Sequence, residues 1–289
     1  MDKKYKQRIY AHLSQFRQDV LDIHVCGTWR NRKYPHILPI HLKEKNILET
    51  IGDGFGVYAQ ERKSGEKHLI DCLHHCFHHL NSSQAMCFNL FYPFVSQSER
   101  RNLLLSILMG ENTEEMVEAE FEHIEDAEEG TIFDFFIRLK SGRRIFFECK
   151  FTEEEFGQAI DDERHQLKLK KIYRPMLRNK VISEALEPSV FFRNYQLLRN
   201  ISHIRPENGD HLFIIFPKGN SGVISPLVEK VKVINELLLE EMKPSVTVLH
   251  LEDLVENIKK SSIVQDAQMK KHWRLFEGKY LPAFGLNNN

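Results

Sequence analysis

The sequence lacks the features of a membrane or secreted protein. No stretch of its 289 residues approaches the roughly 18 consecutive apolar residues that a transmembrane helix needs. The N-terminus is polar and charged, without the apolar segment of a secretory signal. The five cysteines are odd in number and show no disulfide-framework spacing. We therefore expect a protein of the reducing cytoplasm with no membrane partner.

Several motifs of well-known enzymes and metal sites are also missing. There is no P-loop, no G-x-S-x-G nucleophile motif and no dinucleotide-binding glycine fingerprint. Residues 67–80 look helical and are rich in histidine, with His74/His78 and His75/His79 four residues apart. On a helix each pair supplies only half of a tetrahedral zinc site, and the two pairs point about 100° apart. We expect partly exposed histidines there, and keep a zinc-stabilised helical regulator as a minor alternative.

The small net charge of −1 hides an uneven distribution of charge. Residues 111–129 carry ten acidic residues and no Lys or Arg, so the other 270 residues together have a net charge of +9. The run from Lys168 to Lys180 holds six basic residues and no acid. Such a run predicts either a solvated helix face or a surface that follows a phosphate backbone. The candidate nucleic-acid-binding residues are Lys168, Lys170, Lys171 and Arg174, together with Arg199 on a later helix.

The hydrophobic pattern predicts a mixed α/β fold. Helical patterns over 1–22 and from Gln84 to Pro93 precede three strand-like segments, 117–124, 131–139 and 144–151. A helix opening at Pro188 and a short apolar strand over 211–217 follow, with a further strand over 245–251. This order predicts a sheet that begins as an antiparallel meander and carries helices around it.

Three charged residues of the meander can meet at one point. Glu148 and Lys150 are two apart on one strand and so share a face, and Asp134 lies on the preceding strand. A two-residue loop would put Glu148 on the wrong face, whereas a three-residue loop at 140–142 sets Asp134 opposite Glu148. Such loops commonly end with a glycine in the left-handed region, and Gly142 stands there. We therefore predict the three-residue loop.

This arrangement suits a divalent cation and phosphodiester hydrolysis. Carboxylates roughly 4.5–5.5 Å apart at Cβ repel each other unless a cation lies between them. Mg²⁺ takes oxygen ligands and often uses only one or two carboxylates, while a nearby lysine can assist an attacking water. The alternative is an exposed hairpin with a surface Glu–Lys pair. The segment IFFECKF around Glu148 and Lys150 is too apolar for that alternative.

The spacing of Asp134 and Glu148-Cys149-Lys150 resembles that of the PD-(D/E)XK nuclease superfamily. Over about residues 80–220 the chain is similar to bacterial restriction-endonuclease-like proteins of that superfamily, although Phe133 replaces the signature proline. The resemblance implies an αβββαβ core and DNA cleavage. It implies Mg²⁺, with Mn²⁺ as its substitute, held by Asp134, Glu148 and the Cys149 backbone carbonyl, with Lys150 activating water.

The resemblance also implies a domain plan. Residues 81–255 would form the nuclease core and 256–289 a C-terminal packing segment. Residues 1–80 would form a helical and irregular N-terminal extension that supplies substrate recognition or homodimer contacts. The rival interpretation is a catalytically silent nucleic-acid-binding or interaction protein that retains the fold.

Other polar residues near these segments are further candidates, each with a structural alternative. Glu120 and Glu122 lie on the first strand and could add a metal ligand, or belong to a solvated acidic face. Gln196 could reach the site as a catalytic residue, or lie beside the core face of its helix. Glu153 could lie at the edge of the site. The amides Gln84 and Asn89 could approach the metal or serve in capping and surface hydrogen bonds.

Overall fold

The computed structural model describes residues 3–64, 66–110, 114–153, 155–221, 232, 235–262 and 266–282. The chain forms two compact units. The sheet unit is residues 114–249, and the helical unit is residues 2–113 with 250–289. The domain boundaries at 80/81 and 255/256 stay a prediction, and residues 263–265 and 283–289 of the predicted packing segment lie outside the described residues.

The regular elements are numbered here in chain order. The helices are α1 (Lys3–Asp19), α2 (Gly52–Glu61), α3 (Ser83–Val95), α4 (Ser98–Met109), α5 (Glu163–Lys168), α6 (Arg174–Leu177), α7 (Pro188–Arg193), α8 (Tyr195–Ser202), α9 (Leu251–Lys260) and α10 (Ala267–Tyr280). The strands are β1 (Thr28–Trp29), β2 (Arg32–Lys33), β3 (Lys63–Ser64), β4 (Lys67–His68), β5 (Met116–Ile124), β6 (Ile132–Leu139), β7 (Arg144–Cys149), β8 (His211–Phe216) and β9 (Val246–His250). A π-helical turn, Leu169–Tyr173, joins α5 to α6.

The sheet unit is built on one five-stranded sheet with the strand order β5-β6-β7-β8-β9. The first three strands form an antiparallel meander, and β8 pairs with β7 in parallel. The parallel pair follows from the crossover through α5–α8, because parallel neighbours need such a connection. The predicted class, a mixed α/β sheet of the restriction-endonuclease-like type, is confirmed.

Aromatic residues explain why the central strands form and where the core lies. Every residue of β7 is buried, and a strand buried on both faces reads as a nearly continuous apolar run. Phe136 and Phe146 pack on one face, in a cluster with residues of α7 and α8. Phe135 and Phe147 contact each other on the other face, with ring centroids 5.3 Å apart. Glu148, near the end of β7, and Lys150, just after it, therefore lie among apolar residues.

The helical unit contains a fully buried helix that continues past a proline. Residues 84–95 of α3 are all buried, as expected of a helix that is apolar on every side. The helix was predicted to stop at Pro93 but extends to Val95, so that boundary is wrong. Pro93 cannot bond the Asn89 carbonyl, and the His272 ring donates to this carbonyl at 2.9 Å instead.

The helix predicted over 67–80 is also wrong. The helical part of this segment is only a short 3-10 turn, Leu69–Cys72, and several of its backbone groups bond to other parts of the chain. Leu38 and His78 are joined by a backbone hydrogen bond, as are Leu80 and His36. These partners replace the intrahelical bonds that helical periodicity alone would predict. None of the described helices is long and apolar enough to cross a membrane.

Candidate active site

The hairpin that joins β6 to β7 has the predicted register. Phe135 pairs with Phe147 and Phe136 with Phe146, as a three-residue loop requires. Gly142 has φ +89°, in the left-handed region, and its N–H donates to the Leu139 carbonyl at 2.9 Å. The register prediction is confirmed. Asp134 and Glu148 occupy the next position beyond the Phe135–Phe147 pair.

Glu148 and Lys150 form a buried ion pair at the end of β7. Their side chains are 3% and 11% exposed, and Lys150 Nζ lies 2.8 Å from Glu148 Oε1. Burial alone would lower the pKa of Lys150, but the charges of Glu148, Glu153 and Asp134 outweigh it and raise this pKa. The ammonium is therefore charged at neutral pH and belongs to the acidic cluster.

Helix α8 supplies two amides that hold the Glu148 carboxylate. Gln196 Nε2 donates to Glu148 Oε1 at 2.7 Å, and Asn200 Nδ2 donates to Oε2 at 2.9 Å. Gln196 Oε1 in turn accepts a hydrogen bond from Lys150 Nζ at 3.2 Å. Both carboxylate oxygens are thus oriented by the helix, since residues four apart share a helix face.

A break in the predicted helix sets the position of Gln196. The helix expected to run on from Pro188 is interrupted at Asn194, whose backbone is not helical (φ −112°, ψ 25°). The Gln196 N–H donates to the Gly157 carbonyl at 3.0 Å, and the Gly157 N–H donates to Gln196 Oε1 at 2.9 Å. This reciprocal pair fixes the Gln196 side chain between the segment after β7 and the ion pair.

Asp134 lies where negative charge accumulates. Its Oδ2 accepts a hydrogen bond from the Cys149 N–H at 2.6 Å. Burial, followed by the charges of Glu148 and Glu122, raises the pKa of Asp134 well above its ordinary value, although Lys150 and the Cys149 N–H act in the opposite direction. Burial and the nearby carboxylates therefore oppose the ionisation of Asp134 more strongly than Lys150 and the Cys149 N–H favour it.

Glu122 is the second acidic residue next to Asp134. It stands opposite Asp134 in the β5–β6 ladder, between the pairs Phe121–Phe135 and His123–Phe133. Its φ is +53°, a conformation that costs a non-glycine residue roughly 1–3 kcal/mol and that clusters at functional sites. The sequence analysis gave Glu120 and Glu122 as equal candidates for a further metal ligand.

Glu120 and the other minor candidates have partners elsewhere. Glu120 pairs with Phe136 across the ladder and lies 2.7 Å from His123 Nδ1, a bond that is the main cause of its lowered pKa. Glu153 accepts a hydrogen bond from the Phe151 N–H at 2.6 Å, at the edge of the site. The amides of Gln84 and Asn89 bond within the helical unit, to His74 and Cys72 and to Asn46 and Tyr280 respectively.

The basic run lies on α5, the π-helical turn and α6. Lys170, Lys171 and Arg174 are exposed, whereas Lys168 Nζ donates to the Glu129 carbonyl at 2.8 Å. Arg199 on α8 lies over the Tyr195 ring, 5.3 Å from its centroid. Their role in binding nucleic acid stays a prediction.

Asn200 is the residue near the ion pair that sequence reasoning missed. It is fully buried, and a buried amide needs a partner. The available signal was its spacing of four from Gln196, which puts both amides on the helix face that meets Glu148. The sequence analysis named Gln196 on this helix and overlooked the residue four positions later.

Comparison with known proteins identifies the family. A model of the family described as restriction endonuclease associating with ARP matches residues 10–281. The chain belongs to this family. No curated protein and no solved structure matched the chain. Membership supports a restriction-endonuclease-like function, which carries with it DNA as the partner and a divalent metal as the cofactor.

Proposed function

We propose that the protein is an endonuclease that hydrolyses DNA phosphodiester bonds with Mg²⁺ and the residues Asp134, Glu148 and Lys150. The observation that carries the proposal is the convergence of these three side chains at the ends of β6 and β7. Family membership supports the nuclease class and DNA as the substrate. Mn²⁺ is the expected substitute for Mg²⁺.

The acidic residues fit a divalent cation. After burial, the charges of Glu148 and Glu122 help to raise the pKa of Asp134, and a cation between these carboxylates would relieve the repulsion. Asp134 and Glu148 would hold Mg²⁺ together with the Cys149 backbone carbonyl, and Glu122 is a further candidate ligand. When bound, Mg²⁺ supplies charge for the phosphate oxygens and acidifies a coordinated water.

Lys150 has the position and charge for the remaining chemistry. Its ammonium is held by Glu148 and Gln196, so its hydrogen atoms are directed and cost little reorganisation during the reaction. We assign to it the orientation of the attacking water and the stabilisation of charge on the phosphate. Asn200 and Gln196 would keep Glu148 in one orientation while it binds the cation, as partners of metal ligands commonly do.

The exposed basic residues offer a surface for the DNA backbone. Lys170, Lys171 and Arg174 lie within ten residues of one another along one helical segment and are exposed. Phosphate contacts of this kind fix position without reading sequence. We expect each alanine substitution here to weaken binding at all sequences and to reduce its salt dependence.

The test is cleavage of supercoiled plasmid DNA by the full chain, with Mg²⁺ or with a chelator. We expect cleavage only with Mg²⁺, and a loss of roughly 10²–10⁴-fold in Lys150→Ala, the range for removal of an acid–base group. Lys140→Ala is the matched control, because Lys140 lies in the same hairpin, is exposed and pairs with Glu115. This variant should cleave like wild type.

Two outcomes would count against the proposal. Cleavage that survives in Lys150→Ala would reject the assigned site. DNA binding without cleavage in the wild type, under every divalent ion tried, would favour the catalytically silent binding protein. Single-stranded DNA and RNA substrates in the same assay would define the substrate more narrowly.

A further inference from the structure

The histidine-rich segment of the helical unit adopts a compact turn with a cluster of metal-binding atoms. After the 3-10 turn Leu69–Cys72, the Phe77 N–H donates to the His74 carbonyl at 2.7 Å. The side chains of His74, His75 and Cys76 offer ligand atoms that all lie within 4.8 Å of one another. On a helix, successive side chains would point about 100° apart. Because this segment is a turn and not a helix, that geometry does not keep the three side chains from binding one cation.

Groups outside the cluster hold the turn in place. Gln84, buried in the first turn of α3, accepts a hydrogen bond from the His74 N–H at 2.8 Å and donates to the Cys72 carbonyl at 3.2 Å. The Trp29 ring stacks on the His75 ring, with centroids 5.1 Å apart. Backbone groups of the turn and the His75 ring are thus held by residues outside the three donors.

The three donors are accessible and carry suitable lone pairs. His74 and His75 are exposed and Cys76 is partly buried. The Cys76 N–H donates to His74 Nδ1 at 3.2 Å, so this nitrogen is unprotonated and its lone pair points into the turn. A cation would compete with one long hydrogen bond for that lone pair.

Two imidazoles and a thiolate are the ligands of borderline-soft transition metals such as zinc, and not of Mg²⁺, which takes oxygen. Tetrahedral zinc with bonds of about 2.0–2.3 Å needs donors roughly 3.3–3.7 Å apart. The present donors, all within 4.8 Å of one another, lie near that separation. Three protein ligands leave a fourth position for water or an exchangeable group.

We propose that His74, His75 and Cys76 form a zinc-type transition-metal site, built from different residues and a different ligand chemistry than the acidic site on β6 and β7. The site would bind zinc with an open fourth position. This proposal does not depend on the nuclease assignment.

The test is titration of the untagged, chelator-treated full chain with Co²⁺, a spectroscopic probe for zinc sites. We expect one equivalent to bind, with a thiolate-to-cobalt charge-transfer band, tetrahedral visible bands and quenching of Trp29 fluorescence. Zn²⁺ should displace Co²⁺ and abolish these signals, and Mg²⁺ should leave them unchanged. Absence of the charge-transfer band at one equivalent would overturn the proposal.

Variants locate the ligands. Cys76→Ser should lose the charge-transfer band, whereas Cys26→Ser, at another partly buried cysteine outside the cluster, should keep it. His74→Ala and His75→Ala, at exposed positions, should each weaken Co²⁺ binding at least tenfold, about 1.4 kcal/mol. His68→Ala, at an exposed histidine outside the cluster, should bind like wild type. Unchanged binding in both cluster histidine variants, or a band that persists in Cys76→Ser, would contradict the assignment.

Discussion

The two ends of strand β7 carry buried charges in opposite electrostatic situations. At its start, the Arg144 guanidinium pairs with Asp210 and Glu125 and donates to the His203 carbonyl at 2.9 Å. At its end, Glu148 and Lys150 form a pair beside Asp134, whose pKa is raised by burial and then by the charges of Glu148 and Glu122. We call the start of β7 the compensated end, because the pKa of Glu125 is lowered there, and its end the overcharged end, because the pKa of Asp134 is raised there.

The carboxyl pKa values show the difference. Burial alone would raise the pKa of Glu125. Hydrogen bonding by His123 and the charge of Arg144 outweigh burial and lower this pKa to about 2. Burial and neighbouring carboxylates raise the pKa of Asp134 instead. Buried charges that satisfy one another stabilise a fold, whereas like charges held together against repulsion mark a place where a ligand is expected. The comparison therefore separates a structural cluster from a candidate site without reference to motif.

The largest expected effect is on the compensated end. Arg144→Met keeps much of the side-chain volume but leaves Asp210 and Glu125 without their cation. We expect a loss of about 3–5 kcal/mol in the free energy of unfolding, as for one broken partner of a buried pair. Urea unfolding followed by circular dichroism measures it.

The control for that substitution lies directly across the ladder. Arg138 pairs with Arg144 in register, but its side chain is 45% exposed and bonds to Glu118. Arg138→Met should cost no more than about 1 kcal/mol. Equal losses in the two variants would mean that burial does not distinguish the two arginines.

At the overcharged end, the amide support of Glu148 should matter for metal binding more than for folding. Asn200→Ala removes the hydrogen bond to Glu148 Oε2. Loss of such a partner typically lowers metal affinity or activity by about 10–100-fold, so we expect a higher Mg²⁺ concentration for half-maximal cleavage.

A buried asparagine of the helical unit provides the comparison. Asn89 donates to the Asn46 carbonyl at 3.0 Å and to the Tyr280 hydroxyl at 2.8 Å. Asn89→Ala should destabilise the protein yet leave the Mg²⁺ dependence of cleavage unchanged. A shift in Mg²⁺ dependence in this variant would show that the effect of Asn200→Ala is only one of stability.

The overcharged end also shows which features of the candidate site could be predicted from the sequence. Alternation and the position of Gly142 predicted the strands and the register that brings Asp134 beside Glu148, because both depend on local geometry. Asn200, the break at Asn194 and the turn at His74 could not be predicted in the same way. They depend on partners distant in sequence, namely Glu148, Gly157 and Gln84.

A smaller effect on the free energy of unfolding, a gain instead of a loss, is expected for Asp134→Asn without metal. The folded state binds the Asp134 proton more tightly than the unfolded chain, because its pKa is raised above the ordinary 3.8. The free energy of unfolding of the wild type therefore falls as pH rises above that value. Asn cannot ionise, so the variant avoids this loss.

We expect Asp134→Asn to gain about 0.5–2 kcal/mol at neutral pH in chelator, within the range of single stabilising substitutions. The gain should vanish below the ordinary pKa, where the carboxyl is protonated in both states. Thermal unfolding at several pH values measures it, and cleavage should be lost in the same variant. A variant less stable than wild type at neutral pH would remove the case for repulsion at this end of β7.

The smallest expected effect separates the two glutamates of β5. Glu122→Gln removes a charge next to Asp134, so the pKa of Asp134 should fall and Mg²⁺ should bind more weakly, by less than about tenfold or 1.4 kcal/mol. Glu120→Gln is the matched variant on the same strand, two residues away, where the side chain bonds to His123. It should leave Mg²⁺ dependence unchanged and affect stability only slightly. If Glu120→Gln weakened Mg²⁺ binding and Glu122→Gln did not, the negative charge that accumulates at Asp134 would have another source, and the contrast between the two ends of β7 would lose its explanation.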